Sequence, residues 1–127
     1  MYVDGFVFVV TKKNRKAYIK MANQFKNFWR KHGGGNYREC RLVQVKPHKA
    51  VTYTFPMMVK PKKGEEVWFS YVEYPSKAKR DAVNKAMEKM MGEDMKKKGK
   101  SQKEAMKEMP FDMKRMAYGG FSVEVAS

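Results

Sequence analysis

Two stretches of this chain, Tyr2–Val10 and Glu66–Tyr74, are apolar or aromatic on both of their alternating sides. No other feature limits the architecture as strongly. Successive side chains of a strand point to opposite faces of its sheet. In the first stretch one side reads Tyr2, Asp4, Phe6, Phe8, Val10 and the other Val3, Gly5, Val7, Val9. Strands like these need cover on both faces, so a sheet with one wet side does not account for them. Asp4 is the one charge in the first run, and reads either as an end-of-strand acid held by hydrogen bonds or as a pocket carboxylate.

The rest of the chain supplies two amphipathic helices. After the N-cap candidate Thr11, the residues Tyr18, Met21, Ala22, Phe25, Phe28, Trp29 and His32 recur every three or four positions. That face is expected in the core, with lysines, asparagines and Arg30 on the other side. Gly33–Gly35 ends the helix. Tyr37–Val45 predicts a strand with Cys40 and Leu42 on one face and Tyr37, Glu39 and Val43 on the other. Cys40 is expected to be a small buried apolar residue. Ala50–Val59, interrupted by Pro56, is expected as an extended segment at a sheet edge, followed by a turn at Pro61–Gly64.

Ser76 is the N-cap candidate of a second helix whose buried stripe is Ala78, Ala82, Val83, Ala86, Met87, Met90 and Met91. Arg80 and Asp81 fall outside that stripe. The helix is expected to end at Gly92 or near Gly99, with Lys96–Gln102 as a solvated, mobile link. Ser101 caps a short helix through Met109, which Pro110 stops. Met116–Val125 reads as a closing strand whose Gly119–Gly120 pair signals a bulge or a close backbone approach.

The predicted order is β-α-β-β-α-β, an α+β chain of the ferredoxin-like kind, in a single domain over residues 1–127. Such a subunit has helices on one face of its sheet. The economical cover for the other face is a second copy, giving a homodimer with a shared barrel.

Charge is distributed unevenly. Residues 11–63 carry fifteen Lys/Arg and one acid, Glu39, which accounts for +14 of the net +15. A field of one sign attracts polyanions, so Lys12, Lys13, Arg15, Lys16, Lys20, Arg30 and Lys31 are candidates for polyanion or non-specific nucleic-acid binding. Of the 28 cations 22 are lysine, the weaker choice for bidentate base recognition. No apolar run reaches the roughly 20 residues that span a bilayer, so no membrane partner is expected. The first residues carry no basic signal-peptide region, and one cysteine excludes an internal disulfide. A cytoplasmic protein is the simple expectation.

Four segments, Met1–Phe6, Tyr37–Cys40, Tyr74–Asn84 and Met109–Phe121, lie in an order that resembles the YbaA-like bacterial family. This is a family of unknown function in the dimeric α+β barrel superfamily. The resemblance implies a ferredoxin-like subunit and a dimer, and implies no established activity. Superfamily relatives include monooxygenases and haem-degrading enzymes, an analogy of fold alone. The chain departs from the family pattern after Cys40, where Arg41–Lys46 lacks an acidic pair, and on the first helix, where lysines replace glutamates.

No metal, P-loop, dinucleotide or nucleophile-elbow signature is present, and no cofactor is expected. The polar candidates lie in the four segments. Asp4 and Tyr118 are the catalytic candidates, an acid and a phenol able to handle a proton. Arg38, Glu39, Arg80, Asp81, Asn84, Asp112 and Arg115 are the ligand-binding candidates, and Asp4 is expected to meet Tyr118 or Arg115. Three readings stand: a dimeric small-molecule-binding protein or cofactor-independent enzyme with its pocket between sheet and helices, a basic polyanion-binding dimer, and a structural or stress-related dimer without ligand.

Overall fold

The computed structural model describes residues 1–127 as an α+β fold with no helix long and apolar enough to cross a membrane. Strand β1 spans Tyr2–Thr11, helix α1 Arg15–Lys31, β2 Tyr37–Arg41, α2 Phe55–Val59 and β3 Glu65–Tyr74. Helix α3 spans Lys77–Lys98, α4 Gln102–Lys107 and β4 Ala117–Ser122. The four strands form one antiparallel sheet in the order β2-β3-β1-β4. The two strands that are apolar on both sides are therefore its two central ones.

Helices α1 and α3 cover one face. There Phe8, Val10 and Trp68 pack with Tyr18 and Ala22 of α1, while Val72 and Tyr74 pack with Val83 of α3. Phe8 and Tyr74 are 1% exposed, and burial of a side chain of that size stabilises by roughly 1.5–3 kcal/mol. Trp29 of α1 packs on the second of these clusters, stacking on Tyr37 at 5.3 Å and donating its indole N–H to Tyr74 Oη at 2.5 Å.

The second face is partly covered from within the chain. Val7, Val9 and Val67 pack against Leu42 and against Val59 of α2. This corrects the expected extended edge over Ala50–Val59, which holds only a single bridge between His48 and Val51. The reason lies in Pro56: in a first helical turn its missing N–H costs nothing, and Thr54 caps that turn by accepting from Met57 N. Beyond α2 the face stays open, with Phe69 40% and Phe121 59% exposed.

Other boundaries shift for local reasons. Thr11 caps a 3-10 turn, Lys12–Asn14, and α1 starts after it. The second strand stops at Arg41, leaving Val43 and Val45 exposed, and Cys40 lies on the open face, exposed rather than buried. Helix α3 runs through Gly92 to Lys98 and ends on Gly99, whose φ of 64° is left-handed. Lys96–Lys98 form its last turn, not a mobile link. Only Val83 and Met87 of its predicted stripe are fully buried, and Ala78, Ala82 and Met90 are exposed. The closing strand is shorter than expected, and its glycines pair in register, Gly119 with Gly5 and Gly120 with Asp4, without a bulge.

Candidate functional site

Alternation along β1 sends Asp4 to the helix-covered face, where it is 3% exposed. Across β1 and β4 the residue opposite Asp4 is Gly120, and Tyr118 lies opposite Phe6. Tyr118 reaches diagonally across the two strands and donates from Oη to Asp4 Oδ1 at 2.9 Å. The absence of a side chain at position 120 makes room for Tyr2, since a Cβ there would run into its ring and hydroxyl.

Arg80, in the first turns of α3, closes the cluster from above. Its Nη1 donates to Tyr118 Oη at 2.7 Å and to Asp4 Oδ1 at 3.2 Å, and its Nη2 donates to Tyr2 Oη at 3.0 Å. The guanidinium also sits 4.7 Å over the Tyr2 ring. Its Nε lies 2.9 Å from Asp81 Oδ1 but makes no aligned hydrogen bond. The Arg80 side chain is 12% exposed, so it belongs to the inward face of α3, contrary to the expectation that it lay outside the stripe. Asp81 points outward to Lys77 Nζ at 3.0 Å.

Burial pushes the Asp4 carboxyl above its usual range, while the Tyr118 hydrogen bond and the Arg80 charge pull it down. Burial and the Asp4 carboxylate raise the Tyr118 hydroxyl, which stays protonated and able to donate. Chemically this is a carboxylate, a phenol and a guanidinium in mutual contact, opening to solvent through the exposed ring of Tyr118.

A second polar cluster surrounds Glu39. Tyr18 Oη donates to both carboxylate oxygens at 2.6 and 2.8 Å, Tyr37 Oη donates at 2.9 Å, and Ser70, its cross-strand partner, adds a third hydroxyl. Burial raises the Glu39 carboxyl against those three donors, and raises Tyr18 and Tyr37 as well. The acid predicted as a ligand-binding residue is thus turned into the layer between sheet and α1.

The remaining candidates disperse. Arg115 pairs with Glu65 at 2.6 and 2.9 Å and with the Lys60 carbonyl at 3.2 Å, so Asp4 meets Tyr118 and not Arg115. Asp112 caps the 3-10 turn Met113–Arg115 by accepting from Lys114 N at 3.0 Å. Arg38 is exposed on β2, and Asn84 is half-buried one turn beyond Arg80. Arg15 holds Glu66, with Arg15 Nε donating to Oε1 at 2.9 Å. The other six predicted polyanion-binding cations are exposed and form no ion pair. Sequence reasoning missed Tyr2, although it shares a face with Asp4 at a spacing of two.

Two cavities lie elsewhere, and neither is lined by Asp4 or Tyr118. One, of about 1010 Å³, is between the end of β1, α4 and the loop 109–114, with five hydrophobic residues among 15. The other, of about 880 Å³, is a groove between α1, α3 and α4 with nine among 17. Met21, Phe25 and Phe28 of α1 face Met90, Met91 and Met95 of α3 across it. Lys31, Lys98 and Lys100 stand in its lining; Lys98 pairs with Asp94 and Lys100 with Glu108, while Lys31 forms no ion pair.

An antiparallel sheet with two long helices on one face, and a carboxylate–phenol–guanidinium cluster between them, defines an α+β protein with its polar centre at the root of β1 and α3. The chain belongs to the family described as Protein of unknown function (DUF1428), which matches residues 1–113. It is 44% identical over 120 residues to the protein named Uncharacterized protein YbaA of Escherichia coli K12, covering 94% of this chain and 93% of that one. The Shigella flexneri protein of the same name matches with the same identity and coverage.

Proposed function

We propose that this protein is a ferredoxin-like subunit of a homodimeric α+β barrel that binds a small amphipathic anion in the groove between α1, α3 and α4. The observation that carries the reading is the groove itself. Its volume falls within the roughly 300–1,000 Å³ of small-molecule sites. Its apolar lining is chiefly methionine and phenylalanine, and methionine re-packs readily around a flexible apolar tail. The unpaired ammonium of Lys31 in that lining suits a carboxylate head. The ligand class is therefore an aliphatic monocarboxylate, held between helices rather than between helices and sheet.

The assembly rests on the strand order and on the open face. The order β2-β3-β1-β4, with both long helices on one side, supports the ferredoxin-like reading. Phe69 and Phe121 share that open face, with Phe55 of α2 next to Phe69 at 6.3 Å between ring centroids. A second copy presenting the same face would bury them by an isologous contact. An exposed free thiol at Cys40 fits a reducing, cytoplasmic setting.

Isothermal titration of the purified protein with dodecanoate and with dodecanol tests the ligand reading. Saturable binding of the acid, lost in Met91→Glu and weakened at least fivefold in Lys31→Ala, is expected. Equal binding of acid and alcohol, insensitive to either substitution, would contradict it.

A further inference from the structure

The outward side of α1 has a chemistry that the groove does not use. Lys16, Lys20 and Arg30 lie along it, with Asn23 and Asn27 between them and Lys13 on the 3-10 turn just before, and all six are exposed. From Lys13 to Arg30 the ridge is about 25 Å long at 1.5 Å per residue. None of the four cations forms an ion pair. No acid occurs between Asp4 and Glu39, and both of those are turned inward, Asp4 to Tyr118 and Glu39 to Tyr18 and Tyr37. The ridge's own stretch of chain therefore supplies no counter-charge, and the acids nearest its lower end, Glu66 and Glu65, are held by Arg15 and Arg115. Its lower end is extended by the lysine turn Lys62–Gly64, which the Lys12 N–H ties to the 3-10 turn before α1 by donating to the Gly64 carbonyl at 2.9 Å.

We propose that this ridge binds the phosphate backbone of double-stranded nucleic acid without regard to sequence. Lysines predominate on it, and lysine acts on phosphate as a point charge rather than as a bidentate reader of base edges. Duplex DNA presents one charge per about 1.7 Å of axis, so a straight ridge of this length lies over several phosphates in any register. Single strands are recognised by exposed aromatic platforms. Here Tyr18 is buried and Trp29 faces Tyr37 and Tyr74, so duplex is favoured. A membrane-surface helix needs a broad apolar face turned outward, and Ile19 is the one large apolar residue of α1 that is exposed.

The test measures fluorescence anisotropy of a labelled 24-base-pair duplex between 50 and 200 mM salt, with two variants that lose the same charge. The ridge variant is K13Q/K16Q/K20Q/R30Q. The control, K85Q/K89Q/K97Q/K103Q, removes four exposed lysines from α3 and α4. Circular dichroism melts of both variants establish that the fold is kept. The ridge variant is expected to bind at least tenfold more weakly at 100 mM salt, with the slope of log K against log salt reduced by about 3 to 4. The control stays within twofold of the parent. Equal losses in both variants would overturn the proposal, because net charge alone would then account for binding. Tighter binding of a single strand than of the duplex, or ridge-dependent binding to phosphatidylserine vesicles in its place, would overturn it as well.

Discussion

Tyr118 donates a hydrogen bond to Asp4 diagonally across β4 and β1, at 2.9 Å, while Tyr2 fills the space that a side chain at position 120 would need. Arg80 then binds both of them and Tyr2, so β1, β4 and α3 are pinned at one point. In Gly120→Ala the added methyl displaces the Tyr2 ring and loosens its bond to Arg80. A loss of about 1–3 kcal/mol is expected in urea denaturation, in line with overpacking elsewhere.

Tyr118→Phe removes one donor from a buried carboxylate and leaves Arg80 in place. The expected loss is about 1–3 kcal/mol of stability, with dodecanoate affinity unchanged because the groove lies away from Tyr118. Arg80→Met is more severe, about 3–5 kcal/mol, since it strands a buried acid without its cation. Urea midpoints for the two variants in one buffer check the order. A ligand affinity that collapsed in Tyr118→Phe would return this cluster to the position of a binding site.

Acid stability should depend on Glu66. Its hydrogen bond and charge contact with Arg15 hold the carboxyl below its ordinary value of 4.5, against a smaller opposing effect of burial. A depressed acid stabilises the fold above its unfolded pKa, and that contribution is lost as pH falls through the lower folded value. Glu66→Gln should therefore be less stable than the parent at pH 7 by about 1–2 kcal/mol. The gap should narrow below pH 4.5 and close once the parent's Glu66 is protonated too. Urea denaturation at pH 7, 5 and 3 reads the convergence.

Much of this fold was legible because the pattern was strong. Two strands greasy on both sides announced a sheet needing two covers, and Ser76 and Ser101 each cap the helix they are expected to cap, whereas Thr11 caps the 3-10 turn ahead of α1. That Asp4 meets the closing segment is readable from the strand order, but the choice of Tyr118 over Arg115 is not, because Glu65 takes Arg115. What was not legible depended on tertiary context. Arg80 looked like a surface residue because its charge hid its place in the series Arg80, Val83, Met87. Pro56 looked like an edge-strand breaker, and the helix it starts became visible only with Thr54 capping it. The groove could not be read at all, since Met21, Met91 and Met109 resemble ordinary core filling until three helices are seen to leave space between them.

The open sheet face makes a prediction about assembly. Phe121→Glu places a charge where a second copy is expected to pack, and also beside Gly5 and Gly119, which its ring overlies. The parent should run as a dimer at micromolar concentration in light scattering, and the variant as a folded monomer. A monomeric parent would contradict the shared barrel.

The groove is the core of the functional account, and its methionines allow the most direct measurement. The chain has 12 methionines, of which Met21, Met90, Met91, Met95 and Met109 line the groove, while Met1, Met57 and Met58 lie away from it. With carbon-13 methyl-labelled methionine, titration with dodecanoate should shift the five groove methyls saturably and leave the other three in place. Shifts confined to Met57 and Met58, or no saturable shift at any methionine, would contradict a ligand site between α1, α3 and α4.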